Sequence, residues 1–571
     1  MNKDIIRDIY HPFRLPISFV EEKYLHTLPK NVIEDLELDT SVNTSLFVNN
    51  KESNTFGNIT REEWSKQITT DVAFLKDSQY VLMNIEKEDQ NDAIPFLKIW
   101  DDVHDEHFLE KYYYMDWPQL AHLNKSAKFL QFLTVANVLS PLISLCIPLF
   151  IILIPFIILK IQGISIDVNK YIQVLKETAG NHFIGKSLLN MESLTWDKFI
   201  YLIITFAVYI FQIYQNTNTC IKYYKNVKQI NQNLLYMKKY ISSTITKMET
   251  FVTKFNSLVT YKLFCISLIK HINILKPFLK ELSIISEFQH SLQKSSEIGY
   301  MLKCYHELMN NDLYSTAIQF SIGFEGYMEN MISISQHIRS DKMSLTTFNL
   351  SKPTSIQKQF YPLTVEKVTN NIKMKNNIII TGPNASGKTT LIKTTTINII
   401  LSQQFGCGFY SSCSLNPYHY IHSYINIPDT SERDSLFQAE SRRCKDILDI
   451  LHTSLDNSRH FCIFDELYSG TNPVEAKKAG YAFLSYLTNY TNVDFILTTH
   501  YIGICHKIKK ENKLLLSEKR KRKIINYKMS VNEKDDKLEY TYKMMKGISH
   551  IQGAIHVFKS MNYPEEIIQS M

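Results

Sequence analysis

Asn377-Ile378-Ile379-Ile380-Thr381 is a short apolar, β-branched run that leads straight into Gly382-Pro383-Asn384-Ala385-Ser386-Gly387-Lys388-Thr389, after which Leu391-Ile392-Lys393 continue as helix formers. A strand, a glycine-bounded loop and a helix beginning at the Lys-Thr pair act as one unit, because the loop's N–H groups and the positive helix end converge on a phosphate. Such a unit commits the surrounding chain to an α/β fold with a parallel sheet. The expected nucleotide-binding residues are Gly382, Pro383, Asn384, Ala385, Ser386, Gly387, Lys388, Thr389 and Thr390. In this reading Lys388 brings charge to the β- and γ-oxygens, and Thr389 offers its hydroxyl to Mg²⁺.

Downstream, Phe461-Cys462-Ile463-Phe464 is an apolar run that ends in Asp465-Glu466. At the end of a strand in the same sheet, Asp465 can join the magnesium shell with Thr389, while Glu466 orients and deprotonates the attacking water. A third run, Asp494-Phe495-Ile496-Leu497-Thr498-Thr499, finishes at His500. Ligand sites of such sheets gather at the carboxyl ends of the strands, so His500 is placed to sense the γ-phosphate. Glu466 and His500 are the expected catalytic residues of a P-loop NTPase domain.

The rest of the chain differs in character. Its 571 residues call for more than one core. A formal charge of +7, from 63 basic and 56 acidic residues, falls short of the dense basic surface of a dedicated nucleic-acid binder. The nine cysteines show no metal-ligand spacing and read as reduced, buried thiols. No cleavable leader is visible at the start of the sequence. Residues 133–159 contain no charge, and 199–214 form a second apolar run with tyrosines at both ends. Both are expected to span a bilayer, with kinks or a re-entrant turn at Pro141, Pro148 and Pro155. Eleven lysines against one acid between Thr219 and Lys280 then mark the cytosolic side, and they suit anionic lipid or DNA phosphates. The expected organisation is a soluble region to 126, a membrane region over 127–215, an all-α connector over 216–345, and the ATPase domain over 346–571.

The ATPase region resembles the C-terminal domain of the MutS family. The resemblance is carried by Thr381-Gly382-Pro383-Asn384 through Thr390, Gln404-Phe405-Gly406-Cys407, Asp465-Glu466 with Ser469-Gly470-Thr471, Thr499-His500, and Tyr540-Thr541-Tyr542-Lys543 with Gly547-Ile548-Ser549 and Gly553. It implies ATP as the nucleotide, Mg²⁺-dependent hydrolysis, and ATPase domains that pair as a homodimer, each site completed by a serine of the other subunit. Ser435 is the matching serine. It further implies that Asn384 contacts the nucleotide, that Gly470-Thr471 lies at the subunit junction, and that double-stranded DNA is a partner. An aromatic near Phe360 or Tyr361 is positioned to stack on adenine. The chain departs from the family where Ala385-Ser386 replace Met-Gly and where Ser431-Glu432-Arg433-Asp434-Ser435 replaces a compact Gly-Arg-Ser. A mismatch-reading Phe-x-Glu wedge is not recognisable, since Phe19-Val20-Glu21 and Phe108-Leu109-Glu110 lie in unsuitable contexts. With no room after Met571 for a helix-turn-helix, pairing is expected through the ATPase faces and the connector. Two functions are therefore open: a MutS-like clamp or lever on DNA, with a possible part in mismatch repair, and a membrane-anchored ATPase with no mismatch role.

Overall fold

A computed structural model describes residues 12–47, 56–86, 93–161, 167–180, 196–289, 291–364, 367–425, 435–514, 522–534 and 537–551, with isolated positions between and beyond them. The chain packs as two compact units. One combines 1–90, 247–271 and 319–571, and the other combines 91–246 and 272–318.

The first unit is built on a six-stranded sheet. Its strands are β1 (Asn377–Thr381), β2 (Tyr420–Tyr424), β3 (His460–Asp465), β4 (Val493–Thr498), β5 (Ile524–Lys534) and β6 (Lys537–Lys546). Their order is β6-β5-β1-β4-β3-β2, parallel throughout except for the antiparallel β5–β6 pair. Every residue of β1 and β4 is buried. That explains why these strands read as unbroken apolar runs instead of alternating: a parallel sheet is covered on both faces. Cys444, Ile447 and Leu451 of the helix Leu436–Thr453, Phe483 and Leu484 of the helix Pro473–Leu487, and Ile504 and Ile508 of the helix Ile502–Leu514 join Ile379, Phe464, Phe495 and Leu497 in one core cluster. Each fully buried side chain of this size contributes about 1.5–3 kcal/mol.

A second, mostly antiparallel sheet carries Ser355–Gln359 beside Asn370–Lys373. Residues near the start of the chain pack on the ATPase elements. Gln404, which ends the helix Lys388–Gln404, donates to the Gln67 carbonyl at 3.0 Å, and Gln79 donates to the Gly406 carbonyl at 2.7 Å. The Gln79 amide satisfies a carbonyl of the turn that leaves the helix, and the Gln404 amide satisfies that of a residue in the short strand Gln67–Thr69.

The second unit is helical. Its core includes Phe96, Phe108, Tyr240 and Tyr305, and the Asp102 carboxylate accepts from Lys111, Tyr112 and Tyr305. The run 133–159 lies in one helix, Ala127–Ile161, which continues unbroken through all three prolines. No re-entrant turn forms. Pro141 cannot donate to the carbonyl four residues back, and the Ser140 hydroxyl donates to that Asn137 carbonyl at 2.9 Å instead. The run 199–214 opens a 60-residue helix, Trp196–Phe255. The two helices meet through polar groups: Tyr209 donates to the Ser144 carbonyl at 3.0 Å, Asn216 to the Ser144 hydroxyl at 2.5 Å, and Thr134 and Tyr223 share a hydrogen bond of 2.6 Å.

Among the described residues one helix is long and apolar enough to cross a membrane, Ala127–Cys146, of which only 17% is buried. The expectation of two such helices is corrected to one. The second run opens a helix that turns polar within a few residues, at Gln212, Gln215, Asn216 and Asn218, and it yields no second such span among the described residues. Part of the polar segment expected between the runs, 181–195, lies outside the described residues.

Candidate nucleotide site

The phosphate loop joins β1 to the helix Lys388–Gln404. Gly387 precedes that helix with φ of 88°, a left-handed conformation that costs a glycine nothing. Ala385, where the family resemblance anticipates a different residue, also takes a left-handed φ of 60°. Ser386 is buried, and its hydroxyl donates to the Pro383 carbonyl at 2.8 Å, bracing the loop from inside. A Cβ on Gly382 would fall 2.7 Å from that same hydroxyl oxygen, so the serine fits because position 382 has no side chain.

Lys388 is 6% exposed and donates to the Gly382 and Pro383 carbonyls at 3.2 Å each. Burial pushes its pKa down, against the opposing pull of Glu466 and Asp465. Its ammonium lies 3.1 Å from His500 Nε2, and the same nitrogen lies 2.9 Å from Glu466 Oε1. One imidazole nitrogen cannot accept from the lysine and donate to the carboxylate at once. A bare Nε2 accepts from Lys388 and an Nε2–H donates to Glu466, so the tautomer of the ring decides which of the two it serves. The Glu466 carboxyl is held below its usual range, first by the His500 hydrogen bond, against burial, with the charges of His500 and Lys388 adding to the effect.

Glu466 reaches this position through its backbone. It has φ of 52° and its N–H donates to the Thr498 carbonyl at 3.0 Å, so the chain turns left-handed as it leaves β3. For a non-glycine residue that conformation costs about 1–3 kcal/mol, and such strain concentrates at functional positions. Asp465 points elsewhere. One of its oxygens accepts from Thr498, and the other from the Thr389 hydroxyl at 2.7 Å. A hydroxyl and a carboxylate oxygen side by side are the hard donors that suit Mg²⁺, which takes its remaining ligands from water and phosphate. The fit holds without a dense ligand cluster, and among the described residues no group of three or more His, Cys, Asp or Glu forms one.

Beside the loop lies a cavity of about 500 Å³, lined by Asn384 through Leu391, Thr394, Glu466, and, from other elements, Phe360, Tyr361, Val368, Asn370 and Tyr542. Phe360 and Tyr361 stand where the sequence suggested an aromatic. Tyr542 has no role in the sequence reading, although its motif was singled out. Its ring packs on the loop so closely that a Cβ on Gly387 would lie 3.1 Å from it. Asn370 holds it there, donating to the Tyr542 carbonyl at 2.9 Å and accepting from the Met544 N–H at 2.7 Å. Downstream, the Ser549 N–H donates to the Thr381 hydroxyl at 2.8 Å, tying the tail to the end of β1.

Ser435 is not brought into this cavity. It is exposed and caps the helix Leu436–Thr453, in a reciprocal box with Gln438. The four residues before it, 431–434, lie outside the described residues. Of the two Phe-x-Glu candidates, Phe108 is fully buried among Tyr112, Tyr114 and Tyr305, and Phe19 packs edge-on against Phe264. Neither ring is presented as a wedge.

Residues 378–571 match the family model of MutS domain V. In this region the chain is identified with the MutS family. It is 27% identical over 286 residues to the endonuclease MutS2 of Lactococcus lactis subsp. lactis, a match that covers 49% of this chain and 34% of that protein. It is 28% identical over 221 residues to the DNA mismatch repair protein MutS of Bacteroides fragilis, covering 38% and 24%. A third similarity, 26% over 216 residues, is to the DNA mismatch repair protein MutS of Persephonella marina, covering 37% and 23%. The chain thus spans about a third or less of the length of these MutS relatives. Members of the MutS family are ATPases, and its domain V is a P-loop ATPase domain.

Proposed function

We propose that this chain is a Mg²⁺-dependent ATPase of the MutS type. Its domains pair as a homodimer, each supplying Ser435 to the partner's nucleotide, and its cycle drives a clamp or lever movement on double-stranded DNA. The reading is carried by one observation: Lys388, His500 and Glu466 meet through a single imidazole nitrogen beside the Thr389–Asp465 pair and the cavity. In it Glu466 accepts the proton of the attacking water, Lys388 and the loop N–H groups hold the phosphates, and His500 senses their charge. Thr389 and Asp465 hold Mg²⁺, which neutralises phosphate charge. Tyr542, Phe360 or Tyr361 supplies a face for adenine. The DNA partner follows from the relatives' activities.

ATP turnover by the wild type, Lys388→Ala and Glu466→Gln, each with and without duplex DNA, tests this reading. Glu466→Gln is expected to lose roughly 100-fold or more in kcat while still binding ATP. Lys388→Ala is expected to lose tight binding. Full hydrolysis in Glu466→Gln, or undiminished ATP affinity in Lys388→Ala, overturns the assignment. Duplex affinity that does not fall as salt rises removes DNA from the proposal.

A second reading, favoured by the exposed apolar surface of Ala127–Cys146, anchors the ATPase to a membrane with its ATPase domain in the cytosol and lipid as a partner. Recovery of the full chain entirely in the soluble fraction after lysis rejects it.

A further inference from the structure

Glu440 lies on the helix Leu436–Thr453, five residues beyond Ser435, and is 2% exposed. Its carboxylate is filled with donors. Oε1 accepts from the Ser469 N–H and the Ser469 hydroxyl at 2.9 Å each, and Oε2 accepts from the Gly470 N–H at 3.2 Å. The Tyr424 hydroxyl accepts from the Tyr468 N–H of the same loop at 3.0 Å. Two backbone N–H groups and a hydroxyl thus compensate a buried carboxylate that would be costly alone.

All of those donors sit on the loop that begins at Glu466. Two of its first three residues, Glu466 and Tyr468, are non-glycines in the left-handed region, with φ of 52° and 59°. Such a path persists only where its surroundings over-determine it. Gly470 closes the contact from the other side: a Cβ there would fall 2.6 Å from Leu436 Cγ, in the first turn of the helix that Ser435 caps. One carboxylate therefore ties the loop bearing the general base to the helix bearing the signature serine.

We infer that Glu440 is a positioning residue for hydrolysis, holding the Glu466 loop and the Ser435 end of the helix as one rigid piece. It rests on the ATPase reading above. No atom of Glu440 reaches the phosphate loop in the described contacts, so its loss disturbs the placement of Glu466 without removing a group that binds the nucleotide. The expected signature is a fall in kcat with little change in ATP affinity.

Glu440→Gln keeps the shape and one acceptor but turns the other oxygen into a donor facing an N–H. In the full chain it should lower kcat at saturating ATP by about 10-fold or more, with ATP Kd within about 2-fold of wild type. Glu440→Asp, which keeps the charge, should recover part of the rate. Gly470→Ala should give the same kcat defect by pushing on Leu436, and adding Leu436→Gly, which removes the Cγ and also the Cβ that lies 2.8 Å from that position, should restore it. Thermal unfolding with bound ATP separates this from a purely structural staple, which would lower Tm while leaving kcat intact in the folded protein. An unchanged kcat in folded Glu440→Gln overturns the inference, as does a parallel loss of kcat and ATP affinity. If Glu466→Gln abolishes hydrolysis while Glu440→Gln does not, the positioning role alone has failed. If Glu466→Gln hydrolyses normally, the ATPase reading has failed and this inference with it.

Discussion

Ile379 in β1 and Leu142 in the helix Ala127–Ile161 are both large apolar residues inside regular structure, yet Ile379 is 0% exposed and Leu142 is 59% exposed. The first belongs to a strand enclosed by the sheet and helices of its own unit. The second lies on a helix whose outer face also exposes Phe132, Leu139, Ile143 and Leu145, while its Thr134 and Ser144 side chains turn toward Tyr223 and Asn216. Similar residue types thus do different work. In the sheet they create the platform that positions Lys388, Asp465 and Glu466. On the helix they are a surface, and burial within the chain does not account for them.

Truncation gives the largest separation between the two regions. Ile379→Ala should cost about 2–5 kcal/mol, read from urea unfolding, because it opens a cavity in close-packed surroundings. A loss under 1 kcal/mol would mean that the sheet core is looser than its burial implies.

Acid should act on the nucleotide-binding unit next. His422 and His460 are buried neighbours, with Nε2 of the first 3.1 Å from Nδ1 of the second, and burial lowers their pKa values to about 3 and about 4. The unfolded chain protonates these rings near pH 6.5 while the folded one resists. Stability is therefore full above pH 6.5 and falls as pH drops toward 4, by up to roughly 2 kcal/mol per histidine at pH 5. Unfolding midpoints collected from pH 7.5 to 5 check this, and replacing both with Gln should flatten the slope.

A smaller effect should follow Tyr542→Ala, which removes a ring from the cavity wall and should weaken ATP binding by about 10-fold, or 1.4 kcal/mol, by calorimetry. Unchanged affinity would leave Phe360 and Tyr361 as the only aromatic contacts in play. The smallest expected effect is that of Leu142→Ala, within about 0.5 kcal/mol in unfolding, since it leaves no cavity. A cost comparable to that of Ile379→Ala would show that this helix face is covered after all and would erase the contrast.

Much of the candidate site's backbone was legible in the chain because its geometry is local. The strand, loop and helix from Asn377 to Gln404 form where spacing puts them, and the acids at 465 and 466 fall at the end of a strand whose apolar run announces it. His500 was legible for the same reason. Tyr542 was not, since its approach to Gly387 depends on the β5–β6 hairpin and on Asn370, 172 residues away in sequence. The unbroken helix at Pro141 was equally hidden, because it depends on a hydroxyl one residue earlier accepting the duty of a missing N–H.

The sequence by itself determined that a phosphate loop, two strand-end carboxylates and a histidine occur in the order of a MutS-type ATPase, because backbone propensity and short-range spacing suffice for each. Only the tertiary structure decided that one nitrogen of His500 lies between Lys388 and Glu466, that Glu440 grips the loop behind Glu466, and that residues near the start of the chain pack on the elements of the phosphate-loop domain. Those are contacts between segments tens to hundreds of residues apart, and they are fixed by the closing of a core around them, which no local pattern encodes.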